Sequence, residues 1–156
     1  VVVIALGSEI QRLADCPDYD RAHICKRFVS ALERHAEAAW ELGAVPVVAG
    51  LCPHLEFGPE LTACIRQVEE SIKKMGLLLL DWLRTLASPG ASCSWAEGLW
   101  QEPACPNTEG HRRMFAAIDL SVFTPSRMRD LAAKRAKDLK KDQVCFSHDN
   151  GFEVHY

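Results

Sequence analysis

The chain has 156 residues, 48% of them hydrophobic and 25% charged, and a formal net charge of -3 at pH 7. This length and composition predict one soluble domain, or most of one, that can bury its own core. The small net charge gives no reason to expect a polyanionic partner, and no apolar run approaches the length of about 18 residues that indicates a membrane span.

The cysteines and the first residues bear on cofactors and on compartment. The seven cysteines are scattered, without a Cys-x-x-Cys pair or a Cys–His spacing typical of zinc sites. We therefore expect no metal site, and the scattered, unpaired cysteines favour a reducing, cytoplasmic setting. The chain begins directly with the pattern of a core strand, Val1 to Leu6, which favours a piece of a longer protein. No signal peptide is visible.

Strand and helix patterns alternate along the chain. The predicted strands are continuous apolar runs of the kind buried on both faces of a parallel sheet, and they are Val1 to Leu6, Val45 to Leu51 and Leu77 to Leu83. The predicted helices carry apolar residues at helical spacing, and they are Asp20 to Leu42, Glu60 to Met75 and a last one capped by Asn107 or Thr108 that ends near Leu120.

The boundaries between these elements are marked by turn residues. Gly43 and Gly76 stand where a left-handed residue ends a helix. The stretch from Ala87 to Cys105, rich in Ser, Pro and Gly, is predicted to be a long irregular loop. In the last helix we expect Met114, Phe115 and Ile118 to face inward.

The alternation of strands and helices predicts an α/β fold of three layers, with a parallel sheet between helices on both faces. Three strands are few for such a sheet, so we expect at least one strand before Val1. This domain is predicted to span residues 1–124.

The composition changes after Thr124. Residues 125–143 are predicted to form a basic helix or linker, whose charges are mixed and lack interleaved aromatic residues, so we expect no nucleic-acid partner. Residues 144–156 carry an Asn-Gly signal between alternating runs, which predicts a β-hairpin that caps the domain or begins another module.

Candidate site residues follow from the parallel sheet, because ligands bind at the carboxyl ends of its strands. After the first predicted strand comes Gly7, and after the second come Cys52, His54 and Phe57. We predict that these four residues line a pocket, with the loop that ends at Cys105 beside them.

The run from Glu102 to Phe115, EPACPNTEGHRRMF, resembles the last sequence block of the SGNH (GDSL-type) ester hydrolases. That block carries Asp-x-x-His-Pro-Asn, followed by a Gly-His pair. The Pro-Asn and Gly-His positions are filled as in the family, by Pro106, Asn107, Gly110 and His111. The catalytic positions differ: Glu102 stands at the family's Asp, and Cys105 at its His.

A second segment, Leu6-Gly7-Ser8-Glu9, resembles the family's Gly-x-Asn block, whose Asn helps to stabilise the oxyanion. Glu9 occupies the Asn position, or Ser8 does if the register is shifted by one. A carboxylate at Glu9 offers no hydrogen-bond donor, and the hydroxyl of Ser8 is a weak one. The alternative interpretation of this segment is a tight turn after a strand.

The resemblance implies a flavodoxin-like SGNH fold and the hydrolysis of a small acyl, lipid or carbohydrate ester by a serine nucleophile without a cofactor. No Gly-Asp-Ser occurs in the chain, so such a serine is expected before Val1. A thiol with a pKa of about 8.5 relays protons poorly, so Cys105 predicts impaired catalysis. The alternatives are a pseudoenzyme that binds a ligand or a protein, and a thiol acyltransferase in which His111 activates Cys105.

Overall fold

The computed structural model describes residues 1–7, 10, 13, 18–90 and 93–148. By its contacts the chain divides into two compact units, Val1–Asp119 and Leu120–Tyr156. The strands of the first unit are β1 (Val2–Ile4), β2 (Pro46–Ala49), β3 (Leu78–Leu80), β4 (Trp100–Glu102) and β5 (Cys105–Pro106). Its helices are α1 (Asp18–Glu41), α2 (Pro59–Lys74), α3 (Trp82–Leu86) and α4 (Thr108–Ala117).

A parallel sheet in the order β1-β2-β3 organises the first unit. Ile4, Val48 and Leu79 lie in register across it. The mixed α/β architecture with a parallel sheet, predicted from the alternation of strands and helices, is confirmed. Helices α1 and α2 also end as predicted, since Gly43 and Gly76 take left-handed φ angles of 71° and 65°.

The prediction that β1 is buried on both faces is wrong. Val1, Val2 and Val3 are 57%, 38% and 54% exposed, whereas Ile4 is buried. The physical reason is the position of β1 at one edge of the three-stranded sheet. An edge strand lacks the second neighbour that shields a central strand such as β2, whose residues Val47 and Val48 are almost completely buried.

Two hydrophobic clusters each include one of two consecutive residues of β3. Leu79 packs against the first cluster, where Ile4 and Val48 meet buried residues of α1 and α2. Leu80 packs against the second, formed by Trp82, Leu86, Trp95 and Leu99. Because successive strand residues point to opposite faces, the two clusters lie on opposite sides of β3.

Helix α4 contributes one narrow stripe to the second cluster. Met114 and Ile118 pack against it, as predicted, but Phe115 is 72% exposed, so the inward placement of Phe115 is wrong. The buried stripe runs through Gly110, Met114 and Ile118 at steps of four residues. A residue one position further along the helix is rotated by about 100° away from that stripe.

The region after the third strand differs most from its prediction. Strand β3 ends at Leu80, three residues early, because the Asp81 carboxylate accepts a hydrogen bond from the Arg84 N–H at 2.9 Å and begins α3. The stretch predicted as an irregular loop contains the antiparallel pair β4–β5 and a bridge between Ala87 and Trp95.

The second unit contains a 3₁₀ turn, Leu120–Phe123, and helix α5, Pro125–His148. Helix α5 covers the predicted basic helix and continues through residues 144–148, so the hairpin prediction is wrong for these five residues. No glycine or proline interrupts the helical pattern there before Asn150-Gly151. The rest of the predicted hairpin, residues 149–156, lies outside the described residues. Among the helices that are described, none is both long and apolar enough to cross a membrane.

Candidate functional site

The carboxyl ends of the three parallel strands converge on two glycines. A Cβ atom on Gly7 would lie 3.9 Å from the Gly50 carbonyl oxygen, so the turn after β1 adjoins the end of β2. The Gly50 N–H donates to the Leu80 carbonyl at 2.8 Å, and a Cβ on Gly50 would lie 2.6 Å from the same oxygen. Only glycine permits this approach to the end of β3. Ser8 and Glu9, which were predicted beside Gly7, lie outside the described residues.

Two cysteines lie near each other at this edge of the sheet. Cys52 follows the end of β2, and Cys105 is the first residue of β5. Burial first, and the neighbouring Cys105 second, raise the pKa of Cys52 from the ordinary 9.0 to about 11. At neutral pH the Cys52 side chain is therefore a protonated thiol, which is a poor nucleophile. The sequence placed both cysteines at this edge but gave no signal that they would be neighbours.

The β4–β5 hairpin joins the two residues of the predicted catalytic block. Glu102 pairs directly with Cys105 across the hairpin, around the turn formed by Pro103 and Ala104. Directly paired residues project their side chains from the same face of a sheet. The structure therefore brings the Glu102 carboxyl group, which is exposed, to the same side as the half-buried Cys105 thiol.

The tip of this hairpin is fixed by one carbonyl group. The Pro103 oxygen accepts hydrogen bonds from the Leu55 N–H at 3.1 Å and from Nε1 of Trp95 at 2.9 Å. Trp95 is 3% exposed and belongs to the second hydrophobic cluster. No pattern in the sequence indicates that Trp95 holds the tip of the hairpin.

The base of the hairpin is fixed by Asn107. Its Oδ1 accepts from the Gly110 N–H at 3.0 Å and so caps α4. Its Nδ2 donates to the carbonyl oxygens of Gly98 at 2.8 Å and of Trp100 at 3.2 Å. One side chain thus connects the helix to the segment that enters β4.

Gly110 lets α4 approach that segment closely. A Cβ atom at this position would overlap the Leu99 carbonyl oxygen and would lie 2.7 Å from the Cβ of Pro106. The Asn107 and Gly110 positions of the block therefore have structural reasons that are independent of any chemistry. They hold α4 against the two strands that carry Glu102 and Cys105.

The predicted pocket residues His54 and Phe57 lie in the interior. His54 is 6% exposed, and its ring stacks on Phe57 with 4.9 Å between centroids. Its Nδ1 accepts a hydrogen bond from the Glu56 N–H at 3.1 Å. Phe57 is 4% exposed and belongs to the first hydrophobic cluster. Both rings therefore lie in the interior of the first unit.

His111, the candidate partner of Cys105, is exposed on α4. Its Nδ1 donates to the Asn107 carbonyl oxygen at 3.0 Å. Within the described part of the chain, no hydrogen bond joins His111 to Cys105. The described residues also hold no group of three or more His, Cys, Asp or Glu that could bind a metal ion.

No family model and no curated protein match the chain. The structure pairs Glu102 with Cys105, places Cys105 near Cys52 and places Gly7 beside the end of β2. Asn107 and Gly110 hold the hairpin that carries Glu102 and Cys105.

Proposed function

We propose that the domain predicted over residues 1–124 is an SGNH-type ester-hydrolase-like domain, with the three-layer flavodoxin-like arrangement of that family, in which catalysis is impaired. The observation that carries this proposal is the cross-strand pair Glu102–Cys105 at the carboxyl edge of the parallel sheet. These are the positions that the resemblance assigns to the acid and to the base of a hydrolase.

The framework around this pair supports the proposal. Asn107 and Gly110, which match the family's block, make the contacts that hold the hairpin and α4 together. The positions that match the block thus have structural roles in this chain, whereas the two positions that differ are those that would react. Once one member of a catalytic unit is lost, loss of the others costs little further activity.

The impairment follows from proton transfer. Ester hydrolysis by a serine needs a base that accepts the hydroxyl proton, and such a base contributes about 10²–10⁴-fold to the rate. Cys105 is a thiol, and its neighbour Cys52 has a pKa of about 11, so neither replaces an imidazole at neutral pH. The two histidines considered at this site make other contacts: His54 is stacked on Phe57 in the core, and His111 donates to a backbone carbonyl.

Labelling with a fluorophosphonate probe tests the proposal. The longest natural form of the protein, its Cys105→His variant and its Cys105→Ser variant are treated in parallel, and any adduct is mapped to a peptide. We expect a labelled serine in Cys105→His and none in the wild type or in Cys105→Ser, which matches the thiol in size but supplies no base. A labelled serine in the wild type, at the same rate as in Cys105→His, would contradict the impairment.

A pseudoenzyme that binds a ligand or a protein is the second candidate function. It is favoured by the thiol that stands at the position of the family's histidine within a hairpin that Asn107 and Gly110 hold in place. We expect a small ester or an acylated sugar to raise the melting temperature of the wild-type protein without being consumed, because binding to the folded state alone stabilises it. Hydrolysis of the added ester during that experiment would favour the active enzyme instead.

A further inference from the structure

A second pair of cysteines lies away from the candidate site, between the two long helices of the first unit. Cys25 belongs to α1 and Cys64 to α2, which pack against each other. Both thiols line one groove of about 420 Å³, together with Lys26 and Glu33. Each cysteine is half-buried and carries a free thiol, so a small molecule in the groove can reach the pair.

The two cysteines face the same groove from opposite helices, and Cys64 lies close enough to Cys25 to influence its ionisation. Burial, followed by the charge and the hydrogen bond of Cys64, raises the pKa of Cys25 to about 11. The helices are rigid elements that hold both sulfur atoms in place. A disulfide requires two cysteines whose side chains approach each other from neighbouring elements, and Cys25 and Cys64 meet that requirement by facing one groove between packed helices.

We propose that Cys25 and Cys64 form a redox-active dithiol, which a small-molecule disulfide such as oxidised glutathione converts into a cystine linking α1 to α2. In the first step the Cys64 thiol loses its proton and attacks the glutathione disulfide, because the raised pKa of Cys25 makes Cys25 the poorer nucleophile. A mixed disulfide forms at Cys64, and the released glutathione thiolate takes up a proton. In the second step Cys25 loses its proton and attacks the Cys64 sulfur of that mixed disulfide, which releases the second glutathione, and the raised pKa of Cys25 makes this step faster at alkaline pH. Two protein thiols are oxidised, and one glutathione disulfide is reduced.

The expected consequence is a stiffer first unit. The cystine closes a loop of about 40 residues that includes β2 and the Cys52 segment of the candidate site, which restricts the unfolded chain. We expect the melting temperature to rise by about 10 °C on oxidation. This inference does not depend on the proposed hydrolase-like function, because neither cysteine belongs to that site.

The test is incubation of the wild-type protein with oxidised glutathione, followed by mass spectrometry without reduction. Trypsin alone leaves Cys52 and Cys64 in one peptide, residues 35–66, so a second cleavage after Glu56 or Glu60 is needed to separate them. We expect a crosslinked peptide pair that contains Cys25 and Cys64, and an increase in melting temperature that dithiothreitol reverses. Cys93, which is fully buried, serves as the internal control and should remain a free thiol.

Two variants complete the experiment. In Cys25→Ser and in Cys64→Ser the remaining thiol has no resolving partner, so we expect it to retain one glutathione and the melting temperature to stay unraised. The proposal is overturned if the wild type accumulates mixed disulfides at both cysteines, forms cystines mainly with other cysteines, or keeps both thiols reduced while exposed thiols react. Because the decisive result comes from the wild type, a variant that fails to fold does not affect it.

Discussion

Replacing Asn107 by alanine probes how firmly the candidate site is held. The change removes the cap of α4, which contributes about 1 kcal/mol. It also removes the two hydrogen bonds from Nδ2 to the carbonyl oxygens of Gly98 and Trp100, each worth about 0.5–1.5 kcal/mol. Since Asn107 is only partly buried and water replaces part of the loss, we expect the free energy of unfolding to fall by about 2–3 kcal/mol.

Urea denaturation followed by circular dichroism measures this loss, and Asp81→Ala is the matched control. Asp81 caps α3 through a single hydrogen bond to the Arg84 N–H, so its loss should cost about 1 kcal/mol. Asn107→Asp keeps the acceptor for the cap but turns a carboxylate toward two carbonyl oxygens, and we expect it to be no more stable than Asn107→Ala. A loss below about 0.5 kcal/mol in Asn107→Ala would refute the account of how the hairpin is held.

Three further predictions concern packing, charge and pH. Gly110→Ala should lower the free energy of unfolding of the first unit by about 1–3 kcal/mol, because the added Cβ meets backbone atoms that cannot give way. The control Gly58→Ala has open space around it and should be nearly neutral. Urea denaturation measures both. Glu69→Gln breaks the ion pairs of a buried carboxylate with Arg66 at 3.0 Å and with Lys73 at 3.2 Å. We expect urea denaturation to show a loss of about 1 kcal/mol, since both cations remain partly hydrated. The Cys52 thiol keeps its proton to a higher pH in the folded state than in the unfolded chain, so stability is lost as the pH rises from 9.0 to about 11. The difference in unfolding free energy between the wild type and Cys52→Ser should therefore shrink by up to about 2–3 kcal/mol across that range. A difference that stays constant with pH would contradict the raised pKa.

Periodicity predicted those elements of the fold that are long or strongly apolar. Helices α1 and α2 lie within two residues of their predicted bounds, because an apolar stripe and a terminal glycine mark each of them. The burial of β1 could not be predicted in the same way. An apolar run indicates a strand suited to the middle of a sheet, but the number of neighbours around β1 depends on the sheet order.

In the candidate site, too, local patterns could be predicted and long-range neighbours could not. The block from Glu102 to His111 indicated which residues belong together, and the Asn107 cap was predicted as one of two choices. The hairpin in that block was missed, since its Pro103-Ala104 turn carries no glycine or Asn-Gly signal. Cys52 and Cys105 lie near each other although they are 53 positions apart in the sequence, and no local pattern in a single sequence predicts such a pair.

The hydrolysis rate of a p-nitrophenyl ester, compared between the longest natural form of the protein and its Cys105→His variant, tests the central claim most directly. Restoring an imidazole opposite Glu102 should raise kcat/KM by about 10²–10⁴-fold, with Cys105→Ser remaining at the level of the wild type. An equal rate in the wild type and in Cys105→His, well above that of Cys105→Ser, would mean that the thiol itself supports the reaction and would contradict the account.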